Sequence, residues 1–182
     1  MEALEKITMT AKQFDALLVR LHACDDARTW ATGKTLQAVW ETCERGDWLL
    51  WLAGRMEGKP GWHTRQQIVL AACACVETAL KYVPAGEDRP RLAIEVARRW
   101  AAGGAEIAEV RKAASAASAA AAYAAYAASA AAAYAAYAAA AYAAAYAAFP
   151  VDVADAVRTR SLKELADIVR RELPQPGQAN EQ

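Results

Sequence analysis

Apolar residues recur at intervals of three and four positions along most of the chain, as they do on the buried face of an amphipathic α-helix. Phe14, Leu17 and Leu21 form the first such series, and Thr10 stands where a helix N-cap is expected. The pattern predicts helices within residues 10–24, 35–43, 45–56, 64–84, 85–104 and 161–173.

Capping signals place the ends of several of these helices. Asp47 follows Gly46 and is predicted as an N-cap, and Ser161 with Glu164 predicts a capping box for the last helix. Pro84 predicts the end of the fourth helix, because proline disfavours helical backbone at the residue before it. No stretch predicts paired strands, so we expect an all-α fold, a compact multi-helix bundle. Residues 1–173 are predicted as a single domain, and residues 174–182 as a disordered tail.

The stretch from Ala105 to Phe149 has neither glycine nor proline and is mostly alanine, the strongest helix former. Most of it also lacks Leu, Ile, Val and Met, which disfavours a membrane span. An ice-binding helix is disfavoured because the regularly spaced side chains are bulky phenols. We therefore predict a packing element, either one long or bent alanine- and tyrosine-rich helix or a helical hairpin. An eleven-residue period places four packing residues on one side of it, namely Tyr123, Tyr126, Tyr134 and Tyr137.

Charge and cysteine content exclude several classes of function. Lys+Arg and Asp+Glu both number 21, and this balance argues against nucleic acid as a partner. The first residues carry early acidic side chains and no apolar core of a signal peptide, so we expect a cytoplasmic protein with reduced, buried cysteines. His22 and His63 form no metal-ligand spacing with each other or with the cysteines, so no metal site and no cofactor are predicted.

No motif predicts catalysis. Gly33, Lys34 and Thr35 resemble the end of a phosphate-binding loop, but Arg28 stands where that loop needs its first glycine. No nucleophile and base are recognisable together. The pairs at residues 25–26 and 87–88 are adjacent carboxylates at predicted helix starts, where acidic side chains stabilise the helix dipole. We therefore predict that the protein is not an enzyme.

Two clusters combine opposite charges with aromatic residues at predicted turns between helices. They are open to two interpretations: salt bridges and caps that hold the bundle together, or a recognition surface, since Trp and Arg often anchor interfaces. The candidate binding residues are Trp40, Arg45, Asp47, Trp48, Trp51, Glu87, Asp88 and Arg89.

These clusters carry a resemblance to a known family. The blocks CERGDWLLWLAGRM and GEDRPRLAIEVARRWAAG, the alanine-rich run and KELADIVRREL resemble the "putative immunity protein" family of bacteria and their phages, over residues 40–173. The resemblance implies an α-helical, non-enzymatic protein that binds and neutralises a toxin. It also shows a departure, because members of the family often interrupt the alanine run with Asp, Arg or Trp.

Three hypotheses of function remain open at this point. The first is an immunity-type inhibitor that blocks a protein toxin or effector by direct contact. The second is a small-ligand binder, such as a phage or bacterial sponge for a nucleotide signal, which would need a pocket lined by Trp48, Trp51 or Arg89. The third is a self-assembling structural protein, a homo-oligomer formed through the tyrosine-striped helix.

Overall fold

A computed structural model of the protein describes residues 9–78, 80–83, 85–127 and 155–177. All regular elements of these residues are helical, which confirms the all-α fold. The described helices, in chain order, are α1 (Ala11–Arg20), α2 (Asp25–Ala31), α3 (Leu36–Thr42), α4 (Gly46–Arg55), α5 (Arg65–Glu77), a 3-10 turn (Leu80–Tyr82), α6 (Arg89–Ala101), α7 (Ile107–Ala127) and α8 (Asp155–Glu172).

The chain divides into two compact units. Unit 1 comprises residues 1–64 and 162–182, and unit 2 comprises residues 65–161. Unit 1 therefore contains α1 to α4 and the part of α8 from Leu162 onward, while unit 2 contains α5, α6 and α7. The single domain predicted for residues 1–173 stays a prediction.

Helices α1 and α3 of unit 1 begin at threonine caps. Thr10 forms a capping box with Gln13: the Thr10 amide donates to Gln13 Oε1 at 2.9 Å, and the Gln13 amide donates to Thr10 Oγ1 at 3.3 Å. At α3, the Thr35 hydroxyl accepts the Ala38 amide at 3.1 Å, without a reciprocal bond. The predicted cap at Thr10 is confirmed, because its hydroxyl satisfies an amide that the first helical turn leaves unpaired.

The start of α4 corrects one predicted cap. The helix begins at Gly46 with Arg45 as its N-cap residue, so Asp47 lies inside the first turn. A Cβ atom on Gly46 would lie 2.5 Å from the backbone nitrogen of Ala166, so only glycine lets α4 approach α8 this closely. The observed N-cap, Arg45, thus lies two residues before the predicted one.

Arg170 of α8 caps the C-terminal end of α3. Its Nε donates to the carbonyl oxygen of Trp40 at 2.7 Å, and its Nη2 donates to the carbonyl oxygen of Cys43. Its Nη1 is paired with Asp167 at 3.0 Å. A guanidinium at this place satisfies carbonyls that the end of a helix leaves unpaired and favours the helix dipole.

The C-terminal part of the chain differs from the sequence-based prediction in two respects. Helix α8 begins at Asp155, so Ser161 lies within it and does not cap its start. Residues 174–177 were predicted to belong to a disordered tail, yet Pro176 is fully buried and the Gly177 amide donates to the Gly61 carbonyl at 2.9 Å. Residues 178–182 lie outside the described residues.

In unit 2, α6 packs against both α5 and α7. Its first turn contains Pro90 and the left-handed Gly103 follows its last turn, the places that proline and glycine favour at helix ends. The buried face consists of Pro90, Ala93, Ile94 and Ala97. Ile94 and Ala97 pack with Cys73 and Val76 of α5, and Ala93 packs with Ala117 of α7. Leu92 lies outside this face and is 51% exposed.

The alanine run is helical as far as the structure describes it continuously. Ala114 and Ala117 of α7 are buried, and the small side chains of Ala117 and Ala93 bring α7 and α6 into contact. The side chains of Tyr123 and Tyr126, and all of Tyr134 and Tyr137, lie outside the described residues, as does the choice between one helix and a hairpin. None of the described helices combines the length and apolar character that a bilayer crossing requires.

Candidate functional site

The structure brings some of the predicted binding residues together and separates others. Arg45, Asp47 and Trp48 form one cluster at the start of α4 in unit 1. Trp51 is half-buried on the same helix. The remaining cluster, Glu87 to Arg89, belongs to unit 2.

Trp40 belongs to the core of unit 1. Its side chain is 2% exposed, and its indole N–H donates to the carbonyl oxygen of Leu173 at 3.3 Å. The rings of Trp62 and His63 pack against it, with centroids 6.4 and 5.8 Å away. An indole covered in this way presents no surface to a partner, so its predicted place in a recognition surface is corrected to a packing role.

The cluster at α4 extends to Trp30 of α2 and to Lys34 in the turn that follows α2. We call the four side chains Trp30, Lys34, Arg45 and Trp48 the cation–indole stack. The Lys34 ammonium lies 4.2 Å from the centroid of the Trp30 ring. The Trp30 and Trp48 rings are tilted by 60° with centroids 6.1 Å apart. The Arg45 guanidinium carbon lies 4.3 Å from the centroid of the Trp48 ring. Two indoles are therefore flanked by two cations.

Each contact in the cation–indole stack is favourable by itself. A cation over an indole contributes about 0.5 to 2 kcal/mol, depending on how far it is desolvated, and an aromatic pair about 0.5 to 1.5 kcal/mol. Because Trp30 belongs to α2 and Trp48 to α4, the stack also joins these two helices. All four side chains are only half-buried, so the stack reaches the surface of unit 1.

The two cations of the stack differ in how their charge is balanced. Arg45 forms two hydrogen bonds with the carboxylate of Asp47, at 2.8 and 2.6 Å, and this planar pairing holds the guanidinium over Trp48. The Lys34 ammonium donates to the carbonyl oxygen of Trp30, and it forms no ion pair with any described residue. With Asp47 included, the stack carries one net positive charge, which resides on Lys34.

The cluster in unit 2 is a charged turn before α6. Arg89 donates from Nε to Glu87 Oε1 at 2.7 Å and makes a second ion-pair contact through Nη2. The Arg89 amide also donates to Glu87 Oε1 at 3.1 Å. Hydrogen bonding from the Arg89 side chain, with further help from its amide and charge, lowers the pKa of Glu87. Asp88 is exposed at the N-cap position and makes no capping hydrogen bond.

Residues 61–166 match the family described as "Imm-5 like putative immunity protein". The match covers more than half of the 182 residues. The chain belongs to this family. Searches of curated proteins and of solved structures gave no match.

The extent of the family match separates the two clusters of this immunity-family chain. Its limits, residues 61 and 166, lie close to those of unit 2, residues 65 and 161. The GEDRPR block is inside the match, whereas the GDWLLWL block, which sequence inspection assigned to the same resemblance, lies before it. The cation–indole stack therefore belongs to a part of the protein that the family description does not cover.

Trp30 and Lys34 were not among the predicted site residues. The signal that could have revealed them is their spacing of four positions, which places a lysine one helical turn after a tryptophan. The apolar pattern predicts no range for the short helix α2, of which only the acidic start at residues 25–26 is indicated, and Lys34 is considered only within the rejected phosphate-loop motif.

The cysteines and acidic residues of the family member offer no assembled metal site within the described residues, where no three potential ligands lie together. Cys43, Cys73 and Cys75 are buried free thiols, but Cys24 is exposed, which corrects the expectation that all four are buried. Burial raises the pKa of Cys73 to about 11 and also raises that of Cys43. These two thiols are therefore protonated at neutral pH, which suits packing and not nucleophilic chemistry.

Proposed function

We propose that the protein is an immunity-type inhibitor that neutralises a protein toxin or effector in the cytoplasm by direct contact and without catalysing a reaction. The observation that carries this proposal is the family match over residues 61–166.

The cation–indole stack supports a contact surface in unit 1. Tryptophan and arginine are the residue types that most often dominate the binding energy of protein interfaces. Here Arg45 is held by Asp47, and Trp48 is held between Arg45 and Trp30. Side chains that are already fixed lose little conformational entropy when a partner binds. The Glu87–Arg89 pair supports a second contact point, within the family region.

The same geometry favours a protein partner over a nucleotide. A base binds to tryptophan by stacking on the face of the indole. Lys34 already covers a face of Trp30, and Arg45 already covers a face of Trp48. The exposed parts of the stack and its unbalanced lysine charge suit side chains of an opposing protein surface.

The test begins with the reading frame beside this gene in its native host. We expect expression of that product to arrest growth, co-expression of the immunity-family protein to restore it, and the two purified proteins to form a stoichiometric complex. Absence of a complex with any host protein, or recovery of a tightly bound nucleotide from protein purified from the host, would contradict the proposal.

Variants of the stack test its part in the contact. Trp48→Ala and Lys34→Gln should each weaken the complex at least tenfold, while Lys59→Gln, the loss of an exposed lysine elsewhere in unit 1, should leave affinity unchanged. Circular dichroism of each variant shows whether it has kept its helices. If the folded stack variants bind as tightly as the unchanged protein, the stack is not part of the contact. The contact would then lie in unit 2, where Arg89→Gln tests the charged turn.

A further inference from the structure

Residues 173–177, which follow α8, are held to the rest of unit 1 by three hydrogen bonds. The indole N–H of Trp40 donates to the Leu173 carbonyl at 3.3 Å, and Nε2 of His63 lies 2.8 Å from the Pro174 carbonyl oxygen. The Gly177 amide donates to the Gly61 carbonyl at 2.9 Å. We call this arrangement the C-terminal clasp.

His63 is the titratable group of the clasp. A carbonyl oxygen can only accept, so Nε2 must carry the hydrogen that binds Pro174, and in the neutral ring Nδ1 is then without a hydrogen. Nδ1 is buried and has no hydrogen-bond partner among the described residues. The side chain is 1% exposed and its ring is stacked on Trp40. The clasp is therefore built around a neutral imidazole.

The surroundings of His63 give an imidazolium little to bind. Burial lowers the pKa of His63, and the hydrogen bond to Pro174 opposes this only in part. No charged side chain is among the causes of the shift. Three neighbouring elements carry titratable groups. These are Glu41 and Cys43 in and just after α3, Glu57 and Lys59 in the loop before α5, and Arg170, Arg171 and Glu172 in the last turn of α8.

We propose that His63 is an acid-operated release for the C-terminal clasp, so that its protonation frees residues 173–177 while the helices of unit 1 stay folded. A proton on Nδ1 would create a buried N–H without an acceptor and a buried charge, both of which are costly. Departure of the segment removes Pro176 from the core and lets water reach the ring. This inference is independent of the proposed function.

The sign of the pH effect follows from proton linkage. The pKa of His63 is lower when the clasp is closed than when the ring is hydrated, where it is about 6.5. The open form therefore binds the proton more tightly, and the closed form loses stability as pH falls below about 6.5. For one proton, the ratio of closed to open forms falls by up to about tenfold per pH unit until the lowered pKa is reached.

Hydrogen exchange of the full chain followed by NMR tests the proposal, with the Gly177 amide as reporter of the clasp. Corrected for the intrinsic effect of pH, its protection factor should fall by up to about tenfold per pH unit below pH 6.5, while the amides of α1 and α3 keep theirs. His63→Gln is the matched control, because the glutamine amide can donate to Pro174 and does not titrate. Its Gly177 protection should not depend on pH.

Three results would overturn the inference. The first is a His63 imidazole that titrates at or above pH 6.5 in the folded protein, which NMR of the unchanged chain shows without any variant. The second is Gly177 protection that is independent of pH, or that falls equally in His63→Gln. The third is a simultaneous loss of protection in the helices, which would indicate general acid unfolding.

Discussion

Gly46 is the residue on which the contact between α4 and α8 depends most directly. A Cβ atom there would lie 2.5 Å from the nitrogen of Ala166 and 2.5 Å from the carbonyl carbon of Leu165. Both are backbone atoms, so no rotation of a side chain can relieve the overlap. The two helices would have to separate.

Gly46→Ala should therefore destabilise the protein by about 2 kcal/mol or more, the cost typical of overpacking a close contact. The direction of the change is informative, because replacing glycine by alanine within a helix normally stabilises a protein by about 0.5 to 1 kcal/mol. Urea unfolding followed by circular dichroism measures the difference.

Gly104→Ala is the control for this experiment. A Cβ atom at Gly104 would meet nothing closer than the Arg99 carbonyl oxygen at 3.5 Å, an ordinary contact. The free energy of unfolding of Gly104→Ala should stay within about 0.5 kcal/mol of that of the unchanged protein. If Gly46→Ala were as stable as Gly104→Ala, the close approach of α4 to α8 would be wrong.

At the residue scale, sequence predicts what a side chain can do locally but not what a distant segment does to it. Thr10 was identified as a cap because both partners of its capping box lie within one turn. Asp47 was misplaced because the start of α4 depends on α8, more than a hundred residues later. Trp40 is a packing residue and not the predicted surface anchor for the same reason, since its hydrogen-bond acceptor is the distant Leu173 carbonyl.

At the scale of elements, the contact between α6 and α7 depends on small side chains. Ala117 of α7 is 1% exposed and packs with Ala93 of α6, while the neighbouring Ala116 is exposed. Alanine thus has two roles in this run: it favours the helix at every position, and at the buried positions it also sets the distance between helices.

Ala117→Leu should destabilise unit 2 by about 1 to 3 kcal/mol, because three additional carbon atoms must enter a filled contact. Ala116→Leu changes the same residue type on the same helix but at an exposed position, and it should stay within about 0.5 kcal/mol of the unchanged protein. Thermal and urea unfolding compare the two. Equal stability of both variants would mean that α7 does not pack against α6 through Ala117.

The helical class of the elements was predictable from periodicity, whereas some of their limits were not. The apolar series in α1 and α6 repeat over about three turns, and α3 has three buried residues behind its Thr35 cap, so these helices were placed well. Helix α2 is as short as α3, with seven residues, but it has a single buried one, Ala31, so no apolar repeat indicates it. Trp30 lies in this helix and was therefore not predicted as a site residue. Its contact with Trp48 is a tertiary one that spacing along the chain does not encode.

At the scale of the whole molecule, each unit contains its own buried thiols. Cys43 is buried in unit 1, Cys73 and Cys75 are buried in unit 2, and Cys24 is exposed. A thiol must ionise and be accessible to react with an alkylating reagent. The cysteines therefore report separately on the opening of the two units.

Pulses of iodoacetamide at increasing urea concentration, followed by mass spectrometry of the peptides, measure when each cysteine becomes reactive. We expect Cys24 to be labelled without urea and the buried thiols only on unfolding. In Gly46→Ala, Cys43 should become reactive at a lower urea concentration than in the unchanged protein. Cys73 and Cys75 should keep their original midpoint. A common shift of all three would show that the two units unfold as one.

Unit 1 is assembled from two stretches of chain with unit 2 between them, and this order has a consequence for synthesis. The ribosome makes residues 65–161 after the first stretch and before the second, which takes roughly 5 to 20 s at typical rates of elongation. During that time Trp40 lacks the Leu173 carbonyl and Gly46 lacks the backbone of α8. We therefore expect the apolar faces of α1 to α4 to be most exposed to aggregation, and to chaperone binding, while the chain is still being synthesised.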